Sequence, residues 1–288
     1  MGSWRNRPKH ISELKADIPY VVAIDESGSP SLKYLQKKLS SNTEDNCELN
    51  DIHFNVTACL METSHFIESQ DMVMGIKNKF WSEGCANYKK GDKKRVCFHS
   101  TEIRRRTNAF NFDSLDKHKT FINELGKVMS DMNVKLFSSH INKLELIKQY
   151  STPYNPYELS LTFIFERLSY EIGKKKAVIV LESRGKKEDK VLLKHIVKMI
   201  DQGTRFINKS KFSFIEGVYF NGKWEEKSNN LKSYWILEMA DLYCYPLFKF
   251  GKLNEKDQTF QCCEEKIICY PDYIGKGFKK FPYNKKTP

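Results

Sequence analysis

Nowhere does the chain of 288 residues gather an apolar run approaching the ~18 that a membrane-spanning helix requires. Its N-terminal stretch, MGSWRNRPKHISELK, has no apolar core of the secretory type, and Asn6 stands where a myristoylation motif needs Ser or Thr. No C-x-x-C pair occurs among the eight cysteines, which therefore read as reduced, buried thiols of a cytoplasmic protein. Cys262, Cys263 and Cys269 lie close together, yet no second ligand pair stands at a spacing suited to zinc. The phosphate loop G-x-x-x-x-G-K-[ST], the dinucleotide fingerprint G-x-G-x-x-G and the zinc motif H-E-x-x-H are all missing. The segment DESGS is no nucleophile elbow, because Asp25 fills the place of its first glycine. No internal repeat is present.

What is present suffices for a full core: 40% of residues are hydrophobic and 13% aromatic, as in a globular chain. Lysine and arginine total 48 against 36 acids, a net charge of +12. That excess favours polyanionic partners, nucleic acid first, beside the plainer reading of a soluble lysine-rich protein.

Periodicity places strands at Tyr20–Ile24, 53–61, 96–100, 134–141, 177–183 and 212–220. Helical spacing marks 65–82, 113–132, Tyr157–Ile172, Lys190–Ile200 and a long last helix over 231–249. Strands separated by helices of this length predict an α/β fold whose sheet is parallel in part, with helices on its faces and an antiparallel edge from the early strands. Residues 1–18 read as a polar arm, 19–250 as the domain, 30–52 as a loop or insertion, and 251–288 as an extension ending in a flexible basic, aromatic tail.

Acids break into apolar surroundings at three places. Asp25 and Glu26 end the first strand, and alternation allows only one of them to face the working side. Glu182 ends the run from Ala177 to Leu181 and is followed by Ser183 and Arg184. Glu238 and Asp241 interrupt the otherwise apolar SYWILEMADLYCYPLF and share a helix face. Any one of these acids has an ordinary explanation, as a helix cap or the partner of a lysine. Together they would converge, since strand ends in open α/β sheets are where ligands sit. A buried carboxylate must pair, protonate or bind metal, and an all-oxygen cluster suits Mg²⁺ or Mn²⁺. In FHSTEIRRR, His99 lies at a strand end, Ser100 or Thr101 would cap a helix starting at Glu102, and Arg104, Arg105 and Arg106 would hold phosphates. The same run also reads as a solvated basic turn.

The DESG strand end, the F-H-x-x-E segment and LEMADL in the last helix resemble the family called domain of unknown function 3800, over roughly residues 19–250. That resemblance implies a ribonuclease H-like fold, a mixed sheet with helices on both faces. It implies metal ligands on the first strand, a middle strand and the final helix, matched here by Asp25, Glu182 and Asp241, with Glu102 a fourth candidate. Glu238 stands where family members often carry Gln, and would add negative charge to the metal site. The expected function is a metal-dependent nuclease with a two-ion mechanism acting on RNA, DNA or a hybrid, with His99, Arg104, Arg105, Arg106 and Arg184 binding substrate. The alternatives are a catalytically degenerate nucleic-acid-binding module, or a partner subunit of a defence or mobile-element system. Glu182-Ser183-Arg184 only approximates the acid-x-Lys pair of a different nuclease fold.

Overall fold

The computed structural model describes residues 4–14, 17–41, 47–88, 91–225 and 228–283 of the chain. β1 (Tyr20–Ser27) continues past its apolar run, so Asp25 and Glu26 both lie within the strand. The stretch 30–52, expected as a loop, carries two short helices, α1 (Lys33–Ser40) and α2 (Leu49–Ile52), while 42–46 lie outside the described residues. β2 (His53–Glu62) and α3 (Phe66–Phe80) follow. β3 (Cys85–Asn87) and β4 (Lys93–Arg95) form a separate two-stranded ribbon. The expected strand at 96–100 does not form. There the backbone finds a side chain instead of a neighbouring strand: Phe98 N donates to a Glu238 carboxylate oxygen at 2.7 Å, and α4 (Ser100–Arg105) starts two residues on.

The second half alternates as its periodicity requires, through α5 (Leu115–Asp131), β5 (Lys135–Asn142), α6 (Lys143–Gln149) and α7 (Pro156–Ile172). Ser114 caps α5 and Asn155 caps α7, where Pro156 takes the opening position that needs no N–H. Then come β6 (Ala177–Glu182), α8 (Lys186–Gln202), β7 (Ile215–Asn221) and α9 (Trp235–Leu253). α9 starts at Trp235 and not near 231, because the chain before it folds back to pair Trp224 with Ser233.

Neither terminal segment is loose where it is described. α10 (Gln258–Glu264) packs on α5, and β8 (Phe278–Phe281) lies parallel to β5, so the tail expected to be flexible completes the sheet. Its last residues, 284–288, lie outside the described ones, as do 1–3 and 15–16 of the N-terminal arm. The rest of that arm docks along β7: Trp4 Nε1 donates to the Glu216 carbonyl, Phe220 N to the Lys9 carbonyl, and Asn221 exchanges two bonds with the Ile11 backbone.

The six strands lie in the order β7-β6-β1-β2-β5-β8. β1 and β5 each run antiparallel to β2, whereas β6 is parallel to β1 and β7 is parallel to β6. Alternation gives the sheet two cores. Val21, Ala23, Val178 and Val180 pack in the core that holds α3, α5, α9 and α10, while Val22, Ile24, Ile179 and Leu181 pack in the one that holds α7 and α8. All eight cysteines are free, as expected, but burial holds only for Cys59, Cys85, Cys97, Cys244 and Cys263; Cys47 and Cys262 are half-buried and Cys269 is exposed. Among the described residues no helix is long and apolar enough to cross a membrane.

Candidate functional site

The alternation that separates the cores also separates the two acids of β1. Asp25 has the parity of Val21 and Ala23 and faces α9, whereas Glu26 has the parity of Val22 and Ile24 and faces α7. The parallel register that pairs Ile24 with Leu181 then sets Asp25 beside Glu182, at the carboxyl ends of two adjacent strands. Asp241 comes down onto them from α9, which packs across β1 and β2. These acids line one cleft of about 590 Å³, together with Glu26, His99, Arg104, Arg105, Arg184 and Lys223.

Each acid is held differently. Asp241 accepts from Ser100 N at 3.2 Å, and its second oxygen lies 3.4 Å from His99 Nε2 and 3.9 Å from Lys223 Nζ. The first turn of α4 therefore finds its acceptor across the cleft, and no side chain of its own caps it. Glu182 lies 3.6 Å from Lys223 Nζ. Glu26 accepts from the Tyr157 hydroxyl at 2.8 Å and pairs with Arg184 at 3.0 Å. Arg184 is in turn placed by α8: Asp189 accepts from Arg184 N at 2.8 Å and from the Ser183 hydroxyl at 2.6 Å.

Asp25 alone of the four forms no salt bridge among the described residues. Burial, then repulsion from Asp241, Glu26 and Glu182, raises its pKa well above 3.8. Burial also raises Glu182 and Glu26, against the pull of Lys223 and of Arg184 respectively. Burial lowers His99 despite Asp241, while Lys223 is raised because Glu182 and Asp241 outweigh its own burial.

Three expected site residues stand elsewhere. Glu238 does not line that cleft but borders a small adjoining pocket with Glu182, Lys223 and Asp241, and it is buried in a compact ion pair, accepting from Lys77 Nζ at 2.7 Å, Ser233 Oγ at 2.6 Å and Phe98 N at 2.7 Å. Its charge is already met, so it brings no free ligand to the cluster. Glu102 lies in the first turn of α4 and does not line the cleft; nor does Arg106, which ends that helix in a left-handed conformation (φ 53°) and is exposed. Sequence reasoning missed Lys223, Tyr245, Phe248 and Lys252, all of which line the cleft. Lys223 follows β7 by two residues, the same strand-end position that drew attention to Asp25 and Glu182. Tyr245, Phe248 and Lys252 recur from Asp241 at helical spacing, and Arg104 stacks over the Tyr245 ring at 3.6 Å.

Among the described residues no group of three or more His, Cys, Asp or Glu is arranged as a metal site. The donor chemistry of the cleft is nevertheless that of a hard divalent ion: carboxylate oxygens, one of them on a buried acid without a counter-ion. Compared with protein-family models, curated proteins and solved structures, the chain matches none.

Proposed function

We propose that this chain is a metal-dependent nuclease of ribonuclease H-like fold that hydrolyses phosphodiester bonds in nucleic acid, with Mg²⁺ or Mn²⁺ as cofactor. One observation carries the proposal: Asp25, Glu182 and Asp241, from β1, β6 and α9, meet in a cleft rimmed by Arg104, Arg105, Arg184 and Lys252. They come from the three elements that the resemblance to the domain of unknown function 3800 family implies. Asp25 and Glu182 would hold the metal with Asp241 beside them. A divalent ion there supplies Lewis acidity toward a phosphate oxygen and a more acidic attacking water. The chain's own groups do the rest. Ser100 N and His99 fix the Asp241 carboxylate, the rim arginines and Lys252 bind flanking phosphates, and Lys223 faces the charge that develops on the reacting group.

A second reading is favoured by Lys223, whose ammonium already lies between Glu182 and Asp241. In it the cleft is catalytically degenerate and binds nucleic acid through salt-sensitive phosphate contacts, alone or as a subunit of a larger defence or mobile-element system. Labelled RNA, DNA and hybrid incubated with Mg²⁺, Mn²⁺ or EDTA separate the two. A nuclease cuts at least one substrate only with metal, and Asp25→Asn or Asp241→Asn should slow it on the order of a hundredfold or more while leaving binding nearly intact. Cleavage that survives both single substitutions overturns the assignment of the site. Salt-sensitive binding without cutting on any substrate selects the second reading.

A further inference from the structure

We propose that the carboxylate cluster accepts one divalent ion and that the ammonium of Lys223 takes the place of a second. This rests on the cleft being a metal-dependent nuclease site, and it replaces the two-ion arrangement expected from the sequence. β7 pairs with β6 so that Asn221 lies opposite Glu182, and Lys223 leaves the sheet immediately beyond that pair. Its backbone is pinned: the Lys223 carbonyl accepts from Tyr234 N at 3.2 Å, Trp224 bridges to Ser233, and Trp224 Nε1 donates to the Arg95 carbonyl at 2.8 Å. Nζ thereby reaches 3.6 Å from Glu182 Oε1 and 3.9 Å from Asp241 Oδ2, joining acids of a strand and a helix as a bridging cation would.

Charge balance points the same way. Four carboxylates, Asp25, Glu26, Glu182 and Asp241, line the cleft, and two cations, Arg184 and Lys223, are ion-paired with three of them. Counting these ion pairs alone, two formal negative charges remain for one divalent ion, and Arg104, Arg105 and Lys252, which also line the cleft, leave still less for a second. Asp25, the acid without a salt bridge, marks the half of the cluster left open. A tethered ammonium is not lost when metal is scarce, so this half of the cation complement is permanent.

Counting Mn²⁺ on the full chain, by calorimetry or by electron paramagnetic resonance of the free ion, tests the assignment. Wild type should take one ion per chain, Lys223→Met two, and Lys223→Arg, which keeps the cation, one. Two ions on wild type, or one on both wild type and Lys223→Met, overturns the role of Lys223 and leaves the metal site standing. No Mn²⁺ on wild type removes the nuclease proposal itself, and this inference with it. The wild-type count needs no variant, so two ions there would still overturn the inference if Lys223→Met did not fold.

Discussion

Asp25 and Glu26 are adjacent in sequence and opposite in circumstance. Glu26 faces α7, where Tyr157 and Arg184 receive it, whereas Asp25 faces α9 with no counter-ion and with like charges around it. Its raised pKa means that the folded chain holds this proton more tightly than the unfolded chain does. The protonated carboxyl therefore stabilises the fold at low pH, and that contribution is lost as pH rises from near 3.8 through the raised folded value. The upward shifts of Glu182 and Glu26 act in the same direction. In EDTA the melting temperature should fall as pH rises above the ordinary carboxylate range, and Asp25→Asn should both flatten that slope and raise the melting temperature by several degrees on its alkaline side. Asp241→Asn should gain less, because it gives up Lys223, His99 and Ser100 N as partners. Divalent ions should stabilise wild type by mass action and stabilise Asp25→Asn less. Identical pH slopes in wild type and Asp25→Asn would show that Asp25 carries no such strain.

At the scale of elements, α9 shows how much one helix can divide between structure and chemistry. Glu238 and Asp241 share a helix face, yet Glu238 meets Lys77 from α3 and Asp241 meets the strand ends. Lys77 is fully buried, so removing its partner leaves an uncompensated charge. Glu238→Ala should cost about 3–5 kcal/mol in urea unfolding. Its loss also frees Phe98 N, next to His99, so the rim of the cleft should loosen with it. Glu238→Gln, if folded, should bind as many Mn²⁺ as wild type; a lost ion would return Glu238 to the ligand set. Beyond Asp241 the same helix carries Tyr245, Phe248 and Lys252 along the cleft, so α9 supplies an acid and much of the binding wall.

At the scale of the whole molecule, terminal segments cover one outer strand, β7, and the edge that β5 would otherwise expose, with β8 itself the last strand of the sheet. The N-terminal arm lies on β7, and β8 pairs with β5 from Ser138 to Ile141. An unshielded strand edge is a template for association. Ending the chain at Tyr270 should therefore lower the melting temperature and produce aggregates detectable by light scattering. A monodisperse truncated protein that melts like wild type would make β8 peripheral. The net charge of +12 acts at this scale too, drawing polyanions toward the molecule before any contact in the cleft selects them.

By itself the sequence determined the α/β alternation, the buried strands β1, β2 and β6, and the acids that end β1 and β6, because periodicity and misplaced charge are local signals that burial imposes on any chain. The acids of β1, β6 and α9 stood out for one reason: a carboxylate ending an apolar run needs an explanation wherever it occurs. Only the tertiary structure decided which partner each charge meets. Lys77 lies 161 residues from Glu238, and nothing near either residue announces the pair. Lys223 was hidden behind Asn221 and Gly222 in a chain rich in lysine, and its place between Glu182 and Asp241 depends on β7 lying beside β6. The tail reads as polar and basic, yet it enters the sheet because β5 presents a free edge there. Counter-ions and edge strands are settled by contacts between distant segments, and local patterns carry no record of them.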